Sequence, residues 1–446
     1  MITKTNSHVY MVNNQATMED EIDVDSNNDM AERVINHLNS IIKNPITIDD
    51  FSIITSTTNS LDRNVSPVHY VESEHCLGLE SWCVKQVFRY SQVQILKLRK
   101  MIIKRPTTED VENLNKYINV ALLIQAEVNT FWNIKRELFT YLSYEQEMHF
   151  TKLVLSYKPK SLQAYTYRVW LINKQQQCNY SEVLANEFLI IKKAVAASAN
   201  NYHGWNHRIW CMEKLFPLIH DSNIIIDELI YSQEFISQHV SEHSGFHYRQ
   251  YAVRQFKHKM FASEKLTQIL HNFRFVDYYH TIMPLDNEGH NNIDVKSFVM
   301  TNHYLNLLLY ELFEVCKQLH VYYPGHEAIW YHRRFIFYEI ISLLNNIYGI
   351  NRHTMQSVSL VCNLGRENEN MNMESDGRLL VMHESKLYKN LVRYEQNFIS
   401  FLCTNNKNNE SDTRNIEKHQ RWLMHCLRID LNANISLNNG EVLFQL

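Results

Sequence analysis

Two pairs of histidines have the spacing that zinc ligands take on a helix. His203 and His207 are four residues apart, and so are His243 and His247. Two imidazoles at that spacing can bind one metal ion if both project from the same helical face. Neither pair has a glutamate directly after its first histidine, and His203 falls in a predicted turn. We therefore interpret these residues as hydrogen-bonding histidines and expect no metal on this chain.

A second pattern places a base three residues after an aromatic residue. On a helix the two side chains are neighbours about one turn apart. The base can bind an anionic ligand, or it can donate to backbone carbonyls while its stem packs on apolar surface. We favour the structural role for all five pairs, which are Trp132 and Lys135, Tyr165 and Arg168, Trp205 and Arg208, Phe246 and Arg249, and Trp330 and Arg333.

These pairs mark an internal repeat. With the aromatic residue as position zero, successive copies are 33, 40, 41 and 84 residues apart. Position plus five is aromatic in four copies, with Glu137 as the exception. The last interval is about two periods long and contains the polar stretch 286–292, which predicts an insertion or one eroded copy. Position plus two holds Ile134, Tyr167, His207, Tyr248 and His332.

An apolar segment with helical periodicity precedes the turn before each of three copies, at residues 145–157, 182–197 and 224–240. The repeating unit is therefore a helix, a short turn and a second helix. Such a hairpin cannot bury its apolar faces alone, so neighbouring hairpins must stack around one continuous core.

The composition favours the same fold class. The 446 residues include 9 glycines and 7 prolines, about a third of the average usage of these two residues. β-Sandwiches and doubly wound α/β sheets need more turn residues than this. We predict an all-α protein.

The net charge is −4 at pH 7, and no block of bases stands out along the sequence. We therefore expect no nucleic-acid partner. The eight cysteines form no C-x-x-C pair, Met1 is followed by polar residues, and no apolar run of about 18 residues occurs. These features predict a cytoplasmic protein with reduced thiols and no membrane anchor, in which Cys76 and Cys83 are buried.

Three segments follow from these patterns. Residues 1–75 are predicted to form a variable N-terminal extension with one or more helices, the first at 30–42. Residues 76–345 carry the helical-hairpin array. Residues 346–446 are predicted to form C-terminal helices with two mobile polar loops, at 363–377 and 404–415.

Two copies carry a more specific signature. They read PKSLQAYTYRVW over 159–170 and NYHGWNHRIW over 201–210, and the tetratricopeptide signature is missing. In both copies a Pro-Lys or Asn-Tyr-His turn precedes an aromatic residue, which is followed by histidine or a similar residue and then by arginine. This order resembles the repeat of protein prenyltransferase α subunits. The resemblance covers about residues 110–345, and the later copies look like those of divergent α-type members.

The resemblance implies a function and a partner. Members form an α-α superhelix, a crescent of tandem helical hairpins wrapped around a β subunit that holds the catalytic zinc and most of the isoprenoid pocket. For this chain it implies the α-type subunit of a type III geranylgeranyltransferase, with a Rab-type β subunit. Geranylgeranyl diphosphate would be the donor, and a cysteine near the C-terminus of a SNARE or Rab-like GTPase would be the acceptor.

The resemblance also implies site residues. Lys160 occupies the place of the family lysine that approaches the diphosphate. Asn201, Tyr202 and His203 map onto the turn that faces the isoprenoid and diphosphate end. Of these, Asn201 is expected to bind substrate. There are two departures from the family pattern. Leu162 stands where the family usually has a tyrosine, and Tyr165 replaces a tryptophan.

Two hypotheses remain from the sequence. The first is an enzyme subunit, favoured by the survival of both turn motifs. The second is a non-catalytic helical-repeat scaffold, which would need Trp205 and Arg208 but not Lys160 or His203, and which Leu162 mildly favours.

Overall fold

The computed structural model describes residues 27–43, 48–55, 66–102, 107–175, 179–214, 217, 223–257, 303–347, 386–405, 409–427 and 429. By their contacts, these residues form two compact units, divided between Ile219 and His220. Each unit is a stack of helical hairpins, which confirms the predicted all-α helical repeat class.

The N-terminal part of the first unit contains a small sheet that the sequence analysis did not predict. Helix α1 covers residues 27–42, slightly longer than predicted, and a three-stranded sheet follows it. Its strands are β1 (Asp50–Ile54), β2 (Val68–Val71) and β3 (Cys76–Glu80). The central strand β3 pairs parallel with β1 and antiparallel with β2. The strands are short, so they left little periodicity to detect in the sequence.

The helices of the first unit follow the sheet. They are α2 (Ser81–Ile102), α3 (Thr108–Ile124), α4 (Asn129–Leu138), α5 (Tyr144–Tyr157), α6 (Leu162–Lys174), α7 (Tyr180–Ala197) and α8 (Tyr202–Lys214).

The second unit repeats the hairpin plan. Its helices are α9 (Asn223–Gln238), α10 (His243–Phe256), α11 (His303–Tyr310), α12 (Lys317–Tyr322), α13 (Glu327–Ile347), α14 (Lys386–Asn405) and α15 (Glu410–Leu427), with a π-helical segment, Glu311–Cys316, that joins α11 to α12.

Side-chain caps begin several of these helices, because the first backbone N–H groups of a helix have no partner within it. Thr107 and Asp110 form a reciprocal capping box at α3. Ser143 and Ser161 cap α5 and α6, and Asn179 caps α7. Polar residues in the turns thus set where the repeat helices start.

The repeat residues predicted to be structural are buried in both units. Four of the five aromatic rings at position zero pack on the plus-two ring of the next hairpin. The ring centroids lie 5.0–5.6 Å apart in four such pairs, which are Trp132 with Tyr167, Tyr165 with His207, Phe246 with His332, and Trp330 with His419.

The bases at plus three make a contact that the sequence analysis missed. Four of the five donate to a buried glutamate on the first helix of the following hairpin, and that glutamate also accepts a hydrogen bond from the plus-two residue of its own hairpin. We call this group a glutamate node. The nodes are Lys135, Glu147 and Tyr167, then Arg168, Glu187 and His207, in the first unit, and Arg249, Glu311 and His332, then Arg333, Glu395 and His419, in the second. The fifth base, Arg208, donates to the carbonyl oxygen of Phe188.

The predicted contact between arginine and carbonyl oxygens also occurs, but within a hairpin. Arg168 donates from Nη1 to Met148 O at 2.7 Å, and Arg249 donates from Nη1 to Leu229 O at 2.7 Å. Both carbonyls belong to the first helix of the same hairpin rather than to an adjoining turn. Each arginine therefore ties together three helices.

The nodes explain the long interval between the last two predicted copies. Arg249 on α10 contacts Glu311 directly, so these two copies are successive layers of the second unit. The intervening residues 258–302, with the polar stretch 286–292, lie outside the described residues. The interval is therefore an insertion between adjacent hairpins, not the remains of a layer between them.

A sixth hairpin, α14 and α15, completes the second unit. The predicted loop over 404–415 is wrong at both ends, because α14 continues to Asn405 and α15 begins at Glu410, where Asn409 Oδ1 accepts from Asp412 N at 3.0 Å. The predicted loop at 363–377 lies outside the described residues.

The structure predicts that truncating one member of a node will be costly. Arg168→Ala leaves the buried carboxylate of Glu187 without its cation, and we expect the free energy of unfolding to fall by about 3–5 kcal/mol. The control is Arg99→Ala, which breaks an exposed pair with Glu137 and should cost about 1 kcal/mol or less. Urea denaturation followed by circular dichroism measures both, and equal losses would contradict the structural role of the node.

Acid should weaken the nodes. Burial alone would raise the pKa of Glu187, but Arg168 and His207 together lower it to about 2, and Arg333 and His419 do the same for Glu395. Because these pKa values lie below the ordinary value of 4.5, the stabilisation is complete above pH 4.5 and is lost as pH falls towards 2. Unfolding midpoints between pH 6 and pH 3 should fall less steeply for Glu187→Gln than for the unsubstituted chain; parallel curves would contradict this assignment.

Candidate functional site

Two turns of the first unit are joined by one asparagine side chain. Asn201 donates from Nδ2 to Pro159 O at 2.7 Å and to Ala194 O at 3.2 Å, while its Oδ1 accepts from Gly204 N at 2.9 Å. Pro159 lies in the turn between α5 and α6, and Asn201 lies in the turn between α7 and α8. The side chain thus fixes the two turns next to each other.

Tyr165 and Gly204 pack closely against the two joined turns. Tyr165 donates from its hydroxyl to Pro159 O at 3.1 Å. A Cβ atom added at Gly204 would lie 3.1 Å from atoms of Asn201 and Tyr165, closer than side chains normally pack. Glycine at this position therefore lets α8 start against the preceding turn.

The replacement of tryptophan by Tyr165 preserves a hydrogen bond. In the first copy, Trp132 donates from Nε1 to Ala126 O at 2.7 Å, a carbonyl six residues earlier. Tyr165 donates to a carbonyl at the same separation. This departure from the family pattern keeps the function of the indole, which is to anchor the turn.

The predicted catalytic side chains lie on the outside of the joined turns. Lys160 is exposed, the side chain of Tyr202 is 57% exposed, and His203 is half-buried. The rings of Tyr202 and His203 contact each other edge to face, with centroids 5.8 Å apart. An ammonium, a phenol and an imidazole are therefore available to a ligand at this edge.

Helix geometry adds to the positive character of the edge. Helix α6 begins at Leu162, two residues after Lys160, and α8 begins at Tyr202. The N-terminus of a helix carries partial positive charge and N–H groups without helical partners. Both helix starts therefore favour negative charge at the same turns that present Lys160 and Tyr202.

Asn201, which was predicted to bind substrate, has a different place. Its side chain is fully buried, and three hydrogen bonds within the protein occupy both its donor and its acceptor groups. A ligand outside the turns cannot reach it directly. Its role in the structure is to position Lys160 and Tyr202.

Leu162 lies at this edge, at the position where the family usually has a tyrosine. Its side chain is 45% exposed at the start of α6, close to Lys160 in the sequence. A leucine has no hydroxyl to donate to a leaving group, so any donor contacts here must come from Lys160, Tyr202 and His203.

One group of potential metal ligands occurs in the described residues, at Glu187, His207 and Cys211, whose ligand atoms lie within 4.8 Å of one another. The carboxylate of Glu187 already accepts from Arg168 through both oxygens and from His207. The charge of Glu187 is thus already balanced by a buried guanidinium, which would repel a cation, so these residues do not fit a metal centre. His203 and His207 do not pair as ligands either, because His207 is buried in this node and His203 faces outward.

A cavity of about 450 Å³ lies elsewhere in the first unit, between α5, α7 and the start of β1. Charged residues at its wall include Asp49, Lys152 and Lys193, and Lys152 donates to Asp49. None of the predicted catalytic residues lines it. The candidate site is therefore the exposed edge and not this cavity.

The two predicted buried thiols differ. Cys83 is buried, and its burial raises the pKa of the thiol to about 12, whereas Cys76 is only half-buried. All six cysteines among the described residues are free thiols.

Comparison with known proteins identifies the repeat. The family model of the protein prenyltransferase alpha subunit repeat matches residues 184–215. This chain carries the prenyltransferase alpha subunit repeat. The resemblance predicted from the sequence is thereby confirmed. The matched residues include Asn201 in the α7–α8 turn, the node glutamate Glu187, and Tyr202 and His203, which lie in the first turn of α8 and not in the loop predicted for His203.

Relatives that match longer parts of the chain are named for the same repeat or for an alpha subunit. The chain is 28% identical to protein prenyltransferase alpha subunit repeat-containing protein 1 of Danio rerio, over 72% of this chain and 74% of the relative. It is 28% identical to the Homo sapiens protein of the same name, over 69% and 77%. It is also 24% identical to the geranylgeranyl transferase type-2 subunit alpha of Saccharomyces cerevisiae, over 39% and 57%.

Two features of the repeat in this chain were missed by the sequence analysis although they leave a signal in the sequence. The node glutamates Glu147 and Glu187 each precede their plus-two residue by 20 positions, and Glu228, which accepts from Tyr248, precedes that plus-two residue by the same interval. The sixth hairpin repeats the plus-two and plus-five pair as His419 and Trp422, whose rings stack with centroids 5.8 Å apart. Both signals lie in single polar or aromatic residues outside the five motif copies.

Among the helices of the described residues, none combines the length and apolar character needed to cross a lipid bilayer.

Replacing Asn201 tests how the turns are held. Asn201→Ala removes the acceptor of Gly204 N–H and the donor to Pro159 O, and we expect the free energy of unfolding to fall by about 1–3 kcal/mol. Asn201→Asp keeps the helix cap but turns a buried carboxylate oxygen towards the carbonyl oxygens of Pro159 and Ala194, so it should be at least as unstable as Asn201→Ala. Thermal and urea denaturation measure both variants, and an unchanged stability of Asn201→Ala would contradict the role of this side chain.

Proposed function

We propose that this chain is the α-type subunit of a heterodimeric protein prenyltransferase, which transfers a geranylgeranyl group to a cysteine near the C-terminus of target proteins. The observation that carries the proposal is the joined pair of turns, in which one buried asparagine holds Lys160, Tyr202 and His203 on a single exposed edge. The relatives named as alpha subunits of geranylgeranyl transferase support the same reaction class.

The reaction explains why such an edge is useful. A cysteine thiol loses its proton, and its sulfur forms a bond to the allylic carbon of the isoprenoid while the carbon–oxygen bond to diphosphate breaks. The electron pair leaves with the diphosphate, so negative charge grows on its oxygens. Donors that are already in place for that charge lower the barrier.

Each exposed side chain has a role in this proposal. The ammonium of Lys160 pairs with the leaving diphosphate, and the hydroxyl of Tyr202 donates to it. His203 packs against Tyr202 and supplies a further ring N–H to the same group. The two helix starts add partial positive charge from the backbone.

The partner supplies what this chain does not offer. In the proposal a β subunit, of the kind that serves Rab-type substrates, holds the catalytic zinc and the isoprenoid chain. The one potential ligand group among the described residues is occupied by Arg168, which is consistent with a metal on the partner. The acceptor proteins would be SNARE-like or Rab-like.

A non-catalytic scaffold is the second candidate, and exposed Leu162 favours it. A hydroxyl at this position could donate a hydrogen bond to the leaving group. An apolar side chain that is 45% exposed is better suited to pack against another protein. The two candidates differ in one respect, since only the enzyme subunit requires Lys160.

Lys160→Ala distinguishes them. The chain is co-expressed with candidate β subunits, the complex is purified, and geranylgeranyl transfer to a peptide with a C-terminal cysteine is followed by mass spectrometry. We expect the rate to fall about 10- to 100-fold, because a charge-assisted contact to the leaving group is lost, while the yield of heterodimer stays unchanged. Lys174→Ala, which removes an exposed lysine from the other end of α6, is the matched control.

The isolated chain should transfer no prenyl group. Transfer by this chain without a β subunit would contradict the proposed division of roles. A Lys160→Ala complex as active as the control would remove Lys160 from the reaction and favour the scaffold.

A further inference from the structure

Helix α2 of the first unit carries an unusual set of charges. Its 22 residues include five bases and no acid, although the whole chain has a net charge of −4. The absence of a basic block in the linear sequence hid this feature, because the bases are separated by apolar and amide residues. The five bases are Lys85, Arg89, Lys97, Arg99 and Lys100.

One side of α2 is buried in the first unit. Cys83, Val87, Ser91 and Ile95 follow one another at intervals of four residues, and each is fully buried. This side packs on α3 and β3. The orientation of the helix is therefore fixed, and so is the side that it turns outward.

The opposite side combines bases with large apolar residues. We call it the α2 outer stripe, and its residues follow at intervals of three or four, as one face of a helix requires. All of them are exposed, and Lys97 and Met101 are exposed beside them. The α2 outer stripe consists of Trp82, Lys85, Arg89, Val93, Leu96 and Lys100.

The bases on this side are available to a partner. Arg99 is paired with Glu137. In the part of the chain that the structure describes, no carboxylate lies within ion-pair distance of the other four. The apolar residues are equally accessible, since the side chain of Leu96 is 58% exposed and that of Met101 is 79% exposed.

We propose that the α2 outer stripe binds the surface of an anionic lipid bilayer. Lysine and arginine attract anionic headgroups, and tryptophan, leucine and methionine can enter the boundary between headgroups and acyl chains. Long basic side chains extend past neighbouring apolar residues to keep their charges at the phosphates. The alternation of the two residue types on one face suits a surface that is charged outside and apolar beneath.

A nucleic acid is the less suitable partner for the same stripe. Phosphate backbones neutralise bases but offer no apolar layer for Val93, Leu96 and Met101. A bilayer accommodates both sets of side chains at once. The proposal stands on α2 alone and does not depend on prenyl transfer.

Vesicle co-sedimentation of the purified full-length chain tests the proposal. We expect binding to vesicles of about 70% phosphatidylcholine and 30% phosphatidylserine, and little binding to pure phosphatidylcholine. Raising sodium chloride from about 0.1 M to 1 M should release the protein, because salt screens the attraction.

Two variants separate the charge from the apolar contact. Lys85→Gln/Arg89→Gln/Lys97→Gln/Lys100→Gln should lower the partition coefficient several hundredfold, at about fivefold for each base. Leu96→Ser/Met101→Ser should lower it about tenfold and leave the salt dependence intact. All six positions are exposed, so circular dichroism spectra should not change.

A control variant removes the same number of charges elsewhere. Lys214→Gln/Lys389→Gln/Arg414→Gln/Arg421→Gln replaces exposed bases on α8, α14 and α15 and should bind vesicles within twofold of the unsubstituted chain. The proposal is overturned if the chain ignores phosphatidylserine, if the control loses as much binding as the α2 variant, or if a single-stranded RNA probe binds the chain more tightly than the vesicles do.

Discussion

The glutamate node is the interaction on which the rest of this structure depends. A buried carboxylate on the first helix of a hairpin accepts from the base of the preceding hairpin and from the tyrosine or histidine of its own second helix. A buried carboxylate without partners would be very unfavourable. Each hairpin therefore has one register in which its glutamate is satisfied, and the aromatic ring at position zero fills the space beside that contact.

This constraint explains the residue types of the repeat. In the nodes, position plus two is tyrosine or histidine because both can donate a hydrogen bond to a carboxylate and both present a flat ring to the preceding aromatic residue. Position plus three is arginine in three of the four nodes, and the guanidinium groups of Arg168 and Arg249 each reach a carboxylate and a carbonyl together. Lys135 serves the first node, where its ammonium reaches Glu147 and the side-chain oxygen of Asn115.

The same register determines what the turns present. Stacking of α5–α6 on α7–α8 through Arg168 and Glu187 brings the Pro159 turn beside the Asn201 turn, and Asn201 then joins them. The buried residues of the repeat thus do not touch a substrate in our proposal, but they determine where Lys160 and Tyr202 lie. The outward side of α2 follows the same logic, because the burial of Cys83 and Ile95 decides which side carries the bases to the surface.

The helical fold class, the hairpin repeat, its family resemblance and the aromatic and basic residues of its core could all be predicted from the sequence. These features repeat at short, regular intervals, and such periodicity survives in a single sequence. The partners of the bases became known from the folded chain, because Arg249 and Glu311 are 62 residues apart and an insertion separates them. The tertiary structure also shows that Asn201 is a buried link and that the separated bases of α2 share one face, since burial and three-dimensional proximity depend on packing that no local pattern encodes.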